Sequence, residues 1–431
     1  MSHHVILGAG PAGVVAAERI RKLAPADSIT LIGDEAGPAY SRMAIPYMLI
    51  GDIDATGTYL RKSPEHFAAL KIEQIWARAR SIDGQRKTIS LQSGESLTFD
   101  TLLIATGSRP IKANIAGIDL PDVINCWTLD DAEAIIAKTK PGTRVLQLGA
   151  GFIGCIIMEA LVARGVELRV VERRERMVAR MMGHAAGDMI HQWCESKGVK
   201  VHVGVSVESI EGGTPMTVNL GDGSKVQADV VISAIGVRPS IDFLDDSGVQ
   251  CQMGVLTDDA MQTNVPGVYA AGDCAEAFDP FSQRPIVSAI QPNAVDQARV
   301  AAANMVAHSR GLAAKSRIQA VTQINMLDTL GLISTSFGAW QGVSGGDGVE
   351  LTDKASGRHL SLHFKDDVMV GSNSVGWTEN VGVMRGLVEG RVKLGAWKEH
   401  LLRDPTRFME AYLACATAQA EWTGALDERR R

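Results

Sequence analysis

Apolar and polar positions along the chain follow one pattern twice. In residues 4–35, an apolar run at 5–7 predicts a strand, an apolar stripe across 14–23 predicts a helix, and a second apolar run at 29–32 predicts another strand. Residues 143–172 repeat this order. A strand, a crossover helix and a second strand form a unit with parallel strands. The pattern therefore predicts an α/β fold with two Rossmann-like dinucleotide-binding units.

A glycine-rich turn joins the first strand of each repeat to its helix. In the first repeat Gly8 allows the tight turn, Gly10 lets the backbone approach a pyrophosphate, and Gly13 lets the helix pack on the strand. The pyrophosphate then lies at the N-terminus of the helix. One nucleotide site with a decayed copy is the alternative, but both repeats keep every element of the motif. The corresponding residues of the second turn are Gly149, Gly151, Phe152, Ile153 and Gly154.

An acidic residue follows the second strand of each repeat, where it can bind ribose hydroxyls. The first repeat offers Asp34 and Glu35, of which we favour Asp34, and the second offers Glu172. A carboxylate at 172 binds the 2′-hydroxyl of NADH and repels the 2′-phosphate of NADPH. Arg173 and Arg174 leave the opposite preference open, because an arginine can neutralise that phosphate.

Three further apolar runs, at 102–110, 230–239 and 267–273, end in glycine-containing turns. The run at 102–110 follows the first repeat, and the similar run at 230–239 follows the second. The third ends in Gly272 and Asp273, where a carboxylate can accept a ribityl hydroxyl and glycine allows close approach.

The order of these motifs resembles the two-dinucleotide-binding-domain flavoproteins, the pyridine nucleotide–disulfide oxidoreductase superfamily, over residues 4–310. Within it, the chain is similar to NADH-dependent ferredoxin and rubredoxin reductases and to the flavoprotein region of assimilatory nitrite reductases. Residues 293–298 carry the first likeness, and residues 324–338 and 369–390 carry the second. The resemblance implies FAD at the first site, NAD(P)H at the second, and hydride transfer from NADH to flavin N5.

The resemblance also implies a set of cofactor-binding residues. For NAD they are those of the second turn together with Glu172 and Gly236. For FAD they are Gly8, Gly10, Pro11, Ala12, Gly13, Asp34, Glu35, Arg42, Ala79, Ala105, Thr106, Gly107, Gly272, Asp273, Pro292 and Asn293.

The implied architecture inserts the NAD-binding domain in the FAD-binding domain. FAD binding takes residues 1–113 and 246–317, and NAD(P) binding takes residues 114–245. Residues 318–431 form a C-terminal α+β domain, whose alternating runs predict an antiparallel sheet with a turn at 366–367. Such a domain is usually an interface in relatives, which predicts a homodimer.

The stretch 43–47 departs from the disulfide-reducing relatives. They read Cys-Gly-Ile-Pro-Tyr, and this chain reads Met-Ala-Ile-Pro-Tyr, with Met43 in place of the redox cysteine. Methionine forms neither a thiolate nor a disulfide. Electrons are therefore expected to leave directly from the flavin edge. Tyr47, at a position where ferredoxin reductases often have lysine, is a candidate catalytic residue there, although a packing role is an equal alternative.

Two helices carry further candidates. The helix starting near Asn293, after Pro292, can stabilise negative charge on reduced flavin through its N-terminus, or it simply starts a surface helix. In relatives a glutamate follows the second glycine turn and reaches the nicotinamide region. Ile156 stands there in this chain, and Glu159, three residues on, is the candidate substitute; a structural role for it is the alternative.

Composition narrows the remaining classes. The formal net charge of −6 argues against broad nucleic-acid binding. Six scattered cysteines without a Cys-x-x-Cys pair argue against a disulfide scaffold or a metal site and suit a reducing compartment. No apolar run reaches the ~18 residues of a membrane span, and the chain opens without a leader pattern, so we expect a cytoplasmic protein.

These observations predict an FAD-dependent NAD(P)H oxidoreductase that passes electrons to a protein carrier, either a ferredoxin- or rubredoxin-type protein or a partner oxidoreductase. An NADH oxidase or a quinone or small-molecule reductase is one alternative. A redox-sensing or scaffold subunit is a second, non-enzymatic one. Because redox carriers are commonly acidic, a basic docking patch is expected, with candidates at Arg42, Arg61, Lys62 and Arg109.

Overall fold

The computed structural model describes residues 1–279, 282–318 and 323–416. Two compact units divide the chain. The first contains residues 1–111, 127–129 and 237–321, and the second contains residues 112–126, 130–236 and 322–431. No helix in the described ranges combines the length and the hydropathy required of a membrane span.

The α-helices, numbered in chain order, are α1 (Pro11–Leu23), α2 (Ile45–Ile50), α3 (His66–Ala69), α4 (Leu129–Lys138), α5 (Phe152–Ala163), α6 (His184–Ser196), α7 (Gln291–Ser309), α8 (Val381–Glu389), α9 (Trp397–Arg403) and α10 (Phe408–Ala416).

The strands of the first half of the chain are β1 (His3–Leu7), β2 (Ser28–Gly33), β3 (Glu73–Trp76), β4 (Ala79–Asp83), β5 (Thr88–Leu91), β6 (Ser96–Thr98), β7 (Thr101–Ile104), β8 (Ser108–Pro110), β9 (Val123–Asn125), β10 (Arg144–Leu148), β11 (Glu167–Glu172), β12 (Lys200–Val203) and β13 (Val207–Glu211). Those of the second half are β14 (Met216–Leu220), β15 (Lys225–Ala228), β16 (Val230–Ser233), β17 (Val237–Pro239), β18 (Val255–Leu256), β19 (Val268–Ala270), β20 (Ala275–Asp279), β21 (Arg284–Val287), β22 (Ile324–Thr329), β23 (Leu332–Gly338), β24 (Asp347–Asp353), β25 (Arg358–Lys365) and β26 (Val368–Val375).

The first unit is built on a parallel sheet in the order β19-β7-β1-β2-β3. Val5 of β1 pairs with Thr30 of β2 and with Leu102 of β7, which fixes the register of the sheet centre. Strands buried on both faces read as continuous apolar runs, as β1 and β7 do here. Complete burial of a side chain such as Ile6 contributes about 1.5–3 kcal/mol. The predicted βαβ unit is confirmed.

Glycine is required where β1 turns into α1. Gly8 has φ +111°, and a Cβ built on it would lie 2.0 Å from the Ala105 carbonyl oxygen at the end of β7. A Cβ on Gly13 would lie 1.8 Å from the Gly8 carbonyl oxygen. Helix, turn and neighbouring strand therefore approach at backbone distance, as the glycine motif predicts.

The second unit repeats this arrangement in the parallel sheet β12-β11-β10-β16-β9. Val145 of β10 pairs with Leu168 of β11 and with Val230 of β16. Gly149 has φ +98°, and a Cβ there would lie 2.5 Å from the Ala234 carbonyl oxygen. The two repeats thus share one design, in which the end of a later parallel strand, β7 or β16, packs against the glycine turn.

The antiparallel sheet β22-β23-β26-β25-β24 completes the second unit. Its central strand β26 is buried along its whole length, and Asp366 adopts φ +54° at the predicted turn before it. The Asn373 side chain of β26 donates to the Met181 carbonyl oxygen at 2.9 Å, and Trp193 Nε1 of α6 donates to the Leu330 carbonyl oxygen at 3.1 Å. The predicted antiparallel sheet is confirmed. The three-domain boundaries stay a prediction, and residues 319–322 and 417–431 of the C-terminal domain lie outside the described residues.

Candidate cofactor sites

The first glycine turn leaves open space in front of α1. Gly10 caps the helix with extended backbone, φ −77° and ψ −174°, and Pro11 begins it. A Cβ built on Gly10 would meet no heavy atom within 4 Å, unlike those on Gly8 and Gly13. The first-turn N–H groups of a helix lack partners within the helix and favour an anion. This cradle fits a dinucleotide pyrophosphate.

Of the two acids after β2, the structure separates Asp34 from Glu35. Glu35 accepts hydrogen bonds from the Tyr40 hydroxyl and from Arg42, both at 2.5 Å. Asp34 instead lines a cleft of about 290 Å³. This placement agrees with the choice of Asp34 as the ribose-binding acid, which stays a prediction. The cleft is also lined by Leu7, Gly8, Ile32, Ala77, Arg78, Ala79, Arg80, Gln92, Thr106, Arg109, Ser240, Asp242 and Phe243.

Asp273 lies beyond the carboxyl end of β19, next to Gly272 with φ +83°. Its carboxylate accepts a hydrogen bond from Ser108 Oγ at 2.8 Å. Burial raises the pKa of Asp273, and the Ser108 hydroxyl and the charge of Arg42 oppose that rise. The Gly272 N–H donates to the buried Gln297 side chain of α7 at 2.8 Å. A carboxylate held this way can accept a hydroxyl such as that of a ribityl chain.

Helix α7 starts two residues before the predicted position, at Gln291, with Pro292 in its first turn. Proline there is expected, because its missing N–H would have no partner in the helix. The Asn293 amide donates to Ser288 Oγ at 2.7 Å, which fixes the chain entering the helix. The role of this N-terminus beside reduced flavin stays a prediction.

The second glycine turn is braced by a residue that the sequence analysis missed. Gln147 of β10 is fully buried, and its Nε2 donates to the carbonyl oxygens of Gly149 and Gly154, both at 2.9 Å. A polar side chain inside a buried apolar strand is the signal that would have found it. A Cβ on Gly151 would meet no heavy atom within 4 Å, as at Gly10. The second turn therefore fits a second pyrophosphate.

Glu172 is oriented by two backbone N–H groups. Oε2 accepts from Ala150 N and Oε1 accepts from Arg174 N, each at 2.8 Å. The carboxylate is thereby held against the glycine turn, where a ribose would lie. Arg173 and Arg174 are exposed. The fixed carboxylate supports the preference for NADH.

The stretch that carries Met43 forms a short 3-10 turn followed by α2. Met43 is 56% exposed and Tyr47 57% exposed, whereas Arg42 is engaged with Glu35. The exposed side chain of Tyr47 is accessible to an acceptor, and its catalytic role stays a prediction.

The six cysteines are free thiols. Burial raises the pKa of every one of them, to about 12 for Cys126 and Cys194. Cys251 is the exposed member of the set. Thiolate chemistry at neutral pH is therefore disfavoured throughout the chain.

Glu159 of α5 lies near Asp328 of β22, within the second unit. Burial and the negative charge of Asp328 raise the pKa of the Glu159 carboxyl. In the structure, the Glu159 carboxylate has a second carboxylate, that of Asp328, as its neighbour. Its proposed role near the nicotinamide gains no support from them.

The expected basic patch is largely neutralised. Arg42 pairs with Glu35, Arg61 pairs with Glu18 at 2.6 Å, and Arg109 pairs with Asp242. Lys62 is the remaining candidate. Three of the four charges are thus compensated within the first unit, which weakens the case for electrostatic docking.

Comparison with known proteins identifies the family of the chain. Residues 2–304 match the family model described as pyridine nucleotide-disulphide oxidoreductase. The chain is 30% identical over 407 residues to the NADH-dependent phenylglyoxylate dehydrogenase subunit epsilon of Aromatoleum evansii, covering 93% of this chain and 95% of the relative. It is 30% identical over 349 residues to an NADH oxidase of Methanocaldococcus jannaschii, covering 78% and 77%.

A solved ferredoxin reductase from Rhodopseudomonas palustris has the same fold. It is 27% identical, with a TM-score of 0.79, and the match covers 89% of this chain and 94% of that one. The predicted resemblance to ferredoxin reductases is confirmed, as are the α/β fold and the use of FAD and NAD(P)H. The protein is an NAD(P)H-dependent oxidoreductase that belongs to the pyridine nucleotide-disulphide oxidoreductase family.

Proposed function

We propose that this protein moves electrons between NADH and a protein redox partner through FAD, with no cysteine in the path. The observation that carries the proposal is Met43, which occupies the place of the redox cysteine. The raised pKa values of the six thiols support the same conclusion, because no cysteine elsewhere in the chain is held as a thiolate at neutral pH. FAD, when bound, accepts a hydride at N5 and can release electrons one at a time.

The chain's own residues would bind and orient the cofactors. The turns at Gly10 and Gly151 would receive the two pyrophosphates on helix N-termini. Asp34 and Asp273 would hold hydroxyls at the two ends of FAD, and Glu172 would hold the adenosine ribose of NADH.

The partner is proposed to be an iron–sulfur or similar redox protein, supplied either as a carrier or as another subunit. The full-length likeness to a protein named as one subunit of a dehydrogenase supports the second form, since it includes the C-terminal sheet. Three arginines of the first unit are each paired with a carboxylate, so we expect binding of the partner to depend little on long-range electrostatic attraction. We accordingly expect turnover with the partner to depend only weakly on salt, in contrast to the expectation from sequence.

An NADH oxidase is the second candidate, and the likeness to a protein of that name supports it. The absence of a cysteine at position 43 and the raised pKa of the six thiols disfavour a cysteine-based route for oxygen. We propose a cytoplasmic location and a homodimer as well; free thiols suit a reducing compartment.

The test is anaerobic reduction by NADH followed by an acceptor screen. We expect fast reduction of bound flavin, fast turnover with ferricyanide and with a redoxin or partner subunit from the source organism, and slow turnover with oxygen. Oxygen turnover as fast as that with every protein acceptor would replace the proposal with the oxidase. Slow turnover with all acceptors, together with a stable NAD-bound reduced state, would instead favour a sensing or scaffold subunit.

A further inference from the structure

Glu35, Tyr40 and Arg42 form one hydrogen-bonded cluster in the first unit. The Tyr40 hydroxyl donates to one carboxylate oxygen of Glu35 at 2.5 Å, and Arg42 Nη2 donates to the other at 2.5 Å. Arg42 Nη1 also donates to the Tyr40 hydroxyl oxygen. Charge-assisted bonds of this kind hold a guanidinium in one orientation. Arg42 is therefore a fixed cation in this part of the molecule.

Trp127 completes the surroundings of Arg42. The Arg42 guanidinium lies 5.2 Å from the Trp127 ring centroid and 5.3 Å from that of Tyr40, so aromatic rings contact it from two residues. Arg42 Nη1 further donates to the Trp127 carbonyl oxygen at 3.1 Å. A cation over an aromatic ring gains about 0.5–2 kcal/mol, according to exposure. Both the ring and the main chain of Trp127 thus hold Arg42.

The other edge of the same indole reaches the Asp273 side of the site. Trp127 Nε1 donates to the Ser108 carbonyl oxygen at 3.0 Å, and Ser108 Oγ donates to Asp273 Oδ2 at 2.8 Å. Ser108, which lies between the two partners, is buried. A single residue therefore joins the Glu35 cluster, after β2, to Asp273, after β19.

We propose that Trp127 is a positioning residue of the FAD site, which holds Arg42 through its ring and carbonyl group and the Ser108–Asp273 pair through its indole N–H. The inference rests on the assignment of FAD to the first glycine turn. Trp127 opens a segment of three residues, 127–129, that belongs to the first unit although both flanking stretches of chain belong to the second. Phenylalanine would keep the ring and lose the N–H; alanine would lose both.

The test compares Trp127→Phe and Trp127→Ala with Trp397→Phe as a matched control. Trp397 belongs to the second unit, where the Arg407 guanidinium lies 5.2 Å from its ring centroid in another cation–π pair. The FAD Kd of each apoprotein is measured by flavin fluorescence. Loss of one hydrogen bond predicts a rise of about two- to tenfold for Trp127→Phe, and loss of the ring contact predicts a larger rise for Trp127→Ala. Trp397→Phe should bind FAD as the wild type does.

A spectroscopic measurement separates positioning from a merely structural role. Adding FAD to wild-type apoprotein should quench indole emission, and Trp127→Phe should lose part of that quenching while Trp397→Phe keeps it. Wild-type FAD affinity in both Trp127 variants, even with a lowered Tm, would overturn the inference. If Trp127→Ala does not fold, Trp127→Phe alone decides. A Gly10→Val variant that still bound FAD would instead overturn the site assignment itself.

Discussion

Replacing Gly10 with valine should abolish FAD binding and leave the fold intact. The Gly10 backbone is extended, which a β-branched residue adopts readily, and its added Cβ would touch no protein atom within 4 Å. A change of this kind is expected to alter stability by no more than about 0.5 kcal/mol. The valine would occupy the space where the pyrophosphate meets the helix N-terminus. Loss of two charge-assisted hydrogen bonds at about 1.5 kcal/mol each would raise the FAD Kd by about 100-fold or more.

Gly8→Ala is the matched control in the same turn, because it should destabilise the fold instead of blocking the pyrophosphate directly. Its Cβ would lie 2.0 Å from the Ala105 carbonyl oxygen on a backbone with φ +111°. Strain of about 1–2 kcal/mol and overpacking of about 1–3 kcal/mol should lower the Tm clearly. The assay is thermal unfolding of apoprotein beside titration with FAD. The reasoning is refuted if Gly10→Val binds FAD within threefold of wild type, or loses as much Tm as Gly8→Ala.

Three other predictions can be checked on the same preparations. Glu172→Ser should lower kcat/KM for NADH by about tenfold and reduce the ratio of kcat/KM for NADH to that for NADPH, because a charged acceptor for the ribose hydroxyl is lost. A wild-type protein that prefers NADPH would refute this and assign cofactor specificity to Arg173 and Arg174. Alkylation should modify the exposed Cys251 first and leave NADH-to-ferricyanide activity within about twofold, and loss of flavin reduction with FAD retained would refute this. Burial lowers the pKa of His4 below 6.5, so the unfolded state binds the proton more readily than the folded state. The contribution of neutral His4 to the free energy of unfolding is therefore fully present above pH 6.5. It falls by up to about 1.4 kcal/mol per pH unit as the pH decreases from 6.5 to the folded-state pKa. His4→Gln should flatten that part of the Tm–pH curve, and an unchanged curve would contradict it.

The parts of the fold that sequence predicted are those governed by local periodicity and glycine geometry. The runs at 5–7 and 29–32 became β1 and β2, and the repeat at 143–172 became a second sheet of the same design. Gly8 and its counterpart Gly149 could be predicted because each needs a positive φ and a backbone at contact distance. The turn at 366–367 followed from the break between two alternating strands.

The network around Trp127 could not be predicted in this way. Trp127 and Arg42 are 85 residues apart along the chain, and Ser108 and Asp273 are 165 apart. No spacing rule links a tryptophan after β9 to an arginine before α2. The same holds for the compensated charges: Arg61 and Glu18 are 43 residues apart, and only the folded chain shows that they pair.

Pairing of this kind also changes what the charges can do. The sequence placed Arg42 among the FAD-binding residues and also among the cations available to an acidic carrier, and the structure engages it with Glu35, Tyr40 and Trp127. A guanidinium whose donors are engaged within the protein contributes little to attraction at a distance, and releasing it would leave the Glu35 carboxylate without its cationic partner. Arg42 is therefore engaged within the first unit, and its role at the FAD site stays a prediction. Under the proposed function, we expect recognition of the redox partner to use other parts of the surface, and turnover with that partner to depend only weakly on salt.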